Sequence, residues 1–222
     1  MATYKGRPLG SIGHAAAVSF HETKNVIAGE GGALIVNRPE WTDRAEVLWE
    51  KGTNRTLFAR GQIDKYSRID LGSSYLPSEI TAAFLWAQLE HADTITRTRL
   101  EIWDAYHRAL EPFESVGLLR RPIVPAGCVQ NAHMYYILLA KPEMRVDLMA
   151  QLKQQGIQAV THYVPLHLSP GGRRFGRPSG SLDVTESVGD RLVRLPLFTA
   201  IADDDVTAVI AAVSRWAGSV AR

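Results

Sequence analysis

Ser19, His21 and Lys24 fall within one short stretch, SFHETKNVIAGEGGALIVN, that runs from Ser19 to Asn37. A hydroxyl, an imidazole and a primary amine at that spacing offer a hydrogen-bond donor, a titratable ring and a nucleophile. A lysine amine can condense with a carbonyl and, once released, can carry a proton. Composition alone favours a plainer role, because a lysine in a polar turn is usually just solvated. Further candidates lie downstream. THYVPLH places His162, Tyr163 and His167 close together, and GSSYL places Ser74 in a glycine-led turn. His133, in NAHMYY, reads as a structural residue. The histidines show no second ligand cluster at metal spacing, so zinc is not expected. Gly29, Gly31 and Gly32 read as turn glycines. A phosphate cradle is disfavoured, because the P-loop lysine spacing is absent and a strand follows.

The surrounding elements must position these groups. AAAVSF (15–20) and ALIV (33–36) are short apolar runs bounded by turn residues and predict buried strands on either side of Lys24. RPEWTDRAEVLWEKG predicts an amphipathic helix, with Pro39 in its first turn and Gly52 as its stop. SEITAAFLWAQLEHA predicts a helix capped by Ser78 and apolar nearly all round, hence buried in a core or at a subunit contact. A second helix follows Asp93 and aligns Arg99, Trp103, Tyr106, Leu110 and Phe113. The Pro- and Gly-rich stretch 112–127 marks a change of module. Beyond it, HMYYILLA, MRVDLMAQLKQQG and IQAVTHYV predict a strand–helix–strand unit. SPGGRRFGRPSGS predicts an irregular loop and LVRLPLF a short extended piece. A last helix starts at Asp203–Asp205 and buries Val206, Ile210, Val213, Trp216 or Ala217, and Val220.

With 222 residues, 45% hydrophobic and 22% charged, the chain fits an ordinary globular protein. Its net charge of +2 comes from dispersed basic residues, which excludes a nucleic-acid footprint. The single cysteine, Cys128, excludes an internal disulfide and suits a reducing compartment. No run approaches a membrane span of roughly 20 apolar residues, and the chain's start lacks a signal peptide's apolar core. A cytoplasmic protein is expected. Two strands before Pro112 are too few for a stable buried sheet, so the early region reads as the end of a larger α/β domain. The chain is therefore expected to be truncated at its N-terminus.

SFHETKN followed by GEGGALIVN resembles the lysine segment of the DegT/StrS family of pyridoxal-phosphate sugar aminotransferases. The resemblance continues in order through EKGTNR, DKYSRIDLGSSYLPSEITAAFLWAQLE, NAHMYYI, HYVPLHLSPGG and RLPLF. It implies an α/β chain, the C-terminal portion of a fold-type-I pyridoxal-phosphate transferase. Residues 1–112 would end the large cofactor-binding domain and residues 113–222 would form the small domain. It implies pyridoxal 5′-phosphate as cofactor, Lys24 as the catalytic lysine that holds it, and Ser19 as a donor to its phosphate. Ser74 stands where many relatives carry an asparagine that reaches the partner subunit's cofactor phosphate, and Leu76 where they carry an arginine. His21 and Glu22 replace a Tyr/Phe-Pro pair, and His21, His162 and Tyr163 would face the sugar. HETKN together with GSSYL is most similar to members that aminate C4 of a TDP-4-keto-6-deoxyglucose sugar, with glutamate as donor. The resemblance further implies a homodimer. The alternative is a catalytically inactive fragment that associates with an intact relative.

Overall fold

The protein's computed structural model describes residues 2–220. In chain order they form β1 (Thr3–Tyr4), β2 (Arg7–Pro8), β3 (Ala15–Ser19), β4 (Gly32–Val36), a 3-10 turn at Pro39–Trp41, α1 (Thr42–Trp49), α2 (Arg55–Ala59) and α3 (Glu79–Glu90). Then come α4 (Ala92–Ala109), α5 (Glu111–Ser115), β5 (Leu119–Arg120), β6 (Cys128–Val129), β7 (Tyr135–Leu139) and α6 (Pro142–Gln154). β8 (Val160–Thr161), a 3-10 turn at Leu166–Leu168, α7 (Pro170–Phe175), α8 (Asp183–Arg191), β9 (Leu192–Leu195) and α9 (Asp203–Val220) follow.

These elements divide into two compact units. One takes in Met1–Ile95 and Ala126–Gln130, the other Thr96–Pro125 and Asn131–Arg222. The division falls inside α4, earlier than the Pro112 boundary suggested by composition. Its cause is packing: the later turns of α4 carry Trp103 and Tyr106 into the second unit's core.

The second unit is built on an antiparallel sheet in the order β5–β7–β9–β8. Tyr135 pairs with Leu195 and Ile137 with Val193. β7 and β8 are both antiparallel to β9, so the expected strand–helix–strand unit is present with β9 between its strands. α6 and α9 place Leu148, Leu152, Val213 and Trp216 in the same apolar cluster as Ile137 and Val193. α9 begins with Asp203, Asp204 and Asp205, whose charges complement the positive end of its dipole. It buries Val206, Val213, Trp216 and Ala217 as expected, together with Val209 and Ala212, while Val220 stays exposed.

Another expectation also fails in this unit. The stretch from Ser169 is not wholly irregular, because it contains α7. Ser169 Oγ accepts the Gly172 N–H at 2.9 Å, and Pro170 occupies the first helical turn, where its missing N–H costs nothing. The cap outweighs the glycines' poor helix propensity.

The first unit is thinly packed. β3 and β4 form a two-stranded antiparallel hairpin with Ala17 opposite Leu34 and Ser19 opposite Gly32. The sequence predicts buried strands, yet no residue of either is buried, and Leu34 is 62% exposed. Helix α3 has the expected cap, Ser78 Oγ accepting the Thr81 N–H at 3.1 Å, yet none of its residues is buried. Ile80 is 85% and Trp86 66% exposed. Apolar runs are buried only when another layer lies against them. Among the described residues of this unit, Val26, Ala92 and Ile95 are the buried apolar ones.

Candidate functional site

The residues between β3 and β4 extend the hairpin ladder into an ordered loop. Phe20 N–H donates to Gly31 O at 2.9 Å, Glu22 N–H to Gly29 O at 2.7 Å, and Ala28 N–H to Phe20 O at 2.7 Å. Gly29 has φ +78°, which favours glycine. A Cβ on Gly32 would lie 2.8 Å from the Val18 carbonyl oxygen, so glycine permits the close strand approach. Val26 is the loop's buried anchor.

Lys24 closes a tight turn at the tip. Its N–H donates to His21 O at 2.9 Å, the i to i+3 bond of a β-turn over His21–Glu22–Thr23–Lys24. The lysine itself is half-buried. His21 holds the turn from the side. Thr23 N–H donates to His21 Nδ1 at 3.1 Å, and Thr23 Oγ1 lies 2.9 Å from the same nitrogen. Across the loop, His21 Nε2 lies 3.5 Å from Glu30 Oε1. Ser19 stands at the end of β3, where its Oγ accepts the His21 N–H at 3.4 Å. The structure thus gathers Ser19, His21 and Lys24 on one loop.

Ser74 is placed by a different device in the same unit. It bridges to Glu50 across a pair of antiparallel segments, and Tyr75 N–H donates to Trp49 O at 3.3 Å. Two glycines allow this pairing. Gly52 has φ +73°, and a Cβ there would strike the Asp70 carbonyl. A Cβ on Gly72 would lie 2.8 Å from Gly52 Cα. The segment that presents Ser74 is therefore packed backbone against backbone, and Ser74 itself is exposed.

His162 and Tyr163 belong to the second unit. They follow β8 directly, with ring centroids 5.4 Å apart in an edge-to-face arrangement, and both are exposed. His167 is tied to Glu186, Nε2 to Oε1 at 3.0 Å, which gives it a local structural task. Thr23 and Glu30 were missed as site residues by the sequence reading. The histidine-to-threonine step of two residues in HETK was the available signal, since a side chain that accepts from the N–H two positions on is a turn signature. Among the described residues no His, Cys, Asp and Glu cluster is arranged to hold a metal ion. No helix among them is long and apolar enough to cross a membrane.

An α/β chain whose first unit presents a lysine on a hairpin loop beside a strand-end serine defines the class of fold. The comparisons define the family. Residues 1–214 match the DegT/DnrJ/EryC1/StrS aminotransferase family, and the chain belongs to it. The dTDP-3-amino-3,4,6-trideoxy-alpha-D-glucose transaminase of Streptomyces venezuelae is 30% identical over 221 residues, 99% of this chain and 54% of the relative. The crystal structure of the aminotransferase TlmJ from Streptoalloteichus hindustanus superposes with a TM-score of 0.84 at 26% identity, covering 100% of this chain and 57% of that one. That of Streptomyces venezuelae DesV superposes at 0.82 with 31% identity, covering 97% and 55%. The fold is therefore a part of the fold-type-I transferase fold, as the sequence resemblance implied. The chain spans about half the length of the relatives it matches.

Proposed function

We propose that this chain is the lysine-bearing part of a pyridoxal-phosphate-dependent sugar aminotransferase of nucleotide-sugar biosynthesis in the cytoplasm. The observation that carries the reading is Lys24 at the tip of an ordered hairpin loop, in a chain whose family match runs over residues 1–214. The residues present fit the cofactor's demands. A half-buried primary amine can condense with an aldehyde, and strand-end and turn hydroxyls at Ser19 and Ser74 can donate to a phosphate. When bound, pyridoxal 5′-phosphate supplies an electron sink for the pair left behind as a carbon–hydrogen bond breaks.

The chain's own residues do the rest. The His21–Lys24 turn fixes the backbone of Lys24. Lys24 Nζ takes the proton from the α-carbon of the amino donor, glutamate. In the second half-reaction it delivers a proton to the sugar carbon that gains nitrogen. Ser19 Oγ donates to the cofactor phosphate, and Ser74 Oγ donates to that of a partner subunit in a homodimer. His162 and Tyr163 bind the sugar end of the substrate, a TDP-4-keto-6-deoxy sugar aminated at C4 to TDP-4-amino-4,6-dideoxygalactose.

Borohydride treatment with pyridoxal phosphate, followed by peptide mass mapping, tests the assignment. A stable adduct on Lys24 that is lost in Lys24→Ala supports it, and an adduct on other lysines alone refutes it. The exposed apolar residues of α3 favour a second reading, a catalytically inactive fragment that associates with an intact relative. Under that reading Lys24 gains no preference over surface lysines such as Lys51 and Lys65.

A further inference from the structure

We infer that His21 is a positioning residue that locks the Lys24 turn through its neutral Nε2–H tautomer, and so leaves the substrate to other groups. The inference rests on the functional reading above for what Lys24 does, but its geometry stands alone. A backbone N–H can only donate. Thr23 N–H points to His21 Nδ1 at 3.1 Å, and the Thr23 hydroxyl, 2.9 Å from the same nitrogen, can rotate to donate where the amide cannot accept, so Nδ1 carries the lone pair and the ring proton resides on Nε2. The far side of the ring agrees: Nε2 faces the Glu30 carboxylate at 3.5 Å, where a proton is favoured and a lone pair is not.

The imidazole therefore does the work that an Asn or Asp side chain does at the first position of a β-turn, accepting from the N–H two residues on. His21 also supplies the carbonyl that accepts the Lys24 N–H at 2.9 Å. One residue thus fixes the turn through its backbone and through its ring. With Nδ1 engaged by Thr23 and Nε2 turned to Glu30, the ring has its polar atoms committed within the loop. The charged groups of this loop that flank the ring are Glu22, Lys24 and Glu30, and Glu30 lies within ion-pair reach. Glu30 is 86% exposed, so its contribution is orientation more than energy.

Nitrogen-15 spectra of the imidazole, fast amide–water exchange of Thr23, and the Lys24 share of borohydride-trapped pyridoxal phosphate test this together. His21 is expected to show the Nε2–H tautomer in the unmodified chain. His21→Ala should accelerate Thr23 amide exchange by up to about tenfold, the loss of one net hydrogen bond. It should also lower the Lys24 share of adduct toward that of Lys51 and Lys65, with an unchanged unfolding midpoint. His21→Asn, which restores an acceptor at the Nδ1 position but cannot reach Glu30, should recover both the slow exchange and the Lys24 share. An Nδ1–H tautomer, unchanged Thr23 exchange in His21→Ala, or failed recovery in His21→Asn overturns the inference. An unmodified chain with no Lys24 preference refutes the aminotransferase reading instead, while the tautomer and the exchange rates still decide the role of His21.

Discussion

Two tyrosines in the second unit's core should respond oppositely to the same deletion. Tyr106 and Tyr135 are both fully buried, with ring centroids 5.3 Å apart. Tyr106 Oη donates to Pro196 O at 2.8 Å. Tyr135 Oη is buried and has no hydrogen-bond partner among the described residues. Burial raises the titration of both hydroxyls well above the ordinary phenol range, so each stays protonated at any working pH. Tyr106→Phe removes a satisfied donor and strands the Pro196 carbonyl. A net hydrogen bond is worth about 1 kcal/mol and an orphaned buried acceptor costs about 1–3 kcal/mol more. Pro196 is half-buried, so water recovers part of that, and the expected loss is about 1–2 kcal/mol. Tyr135→Phe removes a hydroxyl whose desolvation is uncompensated. It should be neutral or stabilising, by up to about 1 kcal/mol. Urea unfolding followed by amide exchange of Ile137, Leu138 and Leu139 reports on this sheet, with the midpoint moving and the slope unchanged. A Tyr135→Phe variant destabilised as much as Tyr106→Phe would refute the reasoning.

Acid should weaken the second unit through His107. Burial first, and the Arg121 guanidinium second, push its titration down, opposed by Glu114, Asp104 and Glu111. Neutral His107 therefore stabilises fully above the ordinary value of 6.5, and that stability fades as pH falls through the depressed value. Unfolding midpoints between pH 8 and pH 5 should fall, and His107→Asn should flatten that slope. Gly52→Ala should cost at least about 1–2 kcal/mol for the positive φ alone, with more from the Asp70 carbonyl its Cβ would strike. Thermal unfolding with loss of the Glu50–Ser74 pairing checks this. Amide exchange should be fast across β3 and β4 and slow across β7 and β9, because only the second pair lies in a closed apolar cluster. Equal protection in the two sheets would contradict the burial pattern.

Where the chain's periodicity met a packed layer, the sequence was read well. The Asp203–Asp205 start and the Val206, Val213 and Trp216 stripe described α9 because a helix that buries one face must repeat near 3.6 residues. The two strands on either side of Lys24 were legible for a similar reason, apolar runs broken by glycines, while their antiparallel pairing was not. The burial of those strands and of α3 was not legible in this way. Apolarity states what a segment can bury, and the opposing layer decides whether it does. α7 was hidden because Ser and Pro mark loops as readily as they cap and open a helix, and here Ser169 and Pro170 do the latter. The locking of Lys24 by His21 and Thr23 was hidden too, since turn chemistry is usually sought in Asn, Asp and Ser and an imidazole does the same task here.

The first unit's exposed surface bears directly on how firmly Lys24 is held. An open groove of about 1480 Å³ is lined by Ala17, Leu34 and Val36 of the hairpin and by Trp41, Leu48 and Leu71. Side chains alternate along a strand, so Ser19 shares the face of Ala15 and Ala17 that lines this groove. A two-stranded hairpin is marginal in water by itself, and its free edges accept further strands. The local bonds of His21, Thr23 and Gly29 set the shape of the Lys24 loop, and the pairing of the two strands that carry it sets its stiffness. An amine that is to meet a carbonyl needs both, because a well-shaped turn on a fraying hairpin spends little time where a carbonyl can reach it.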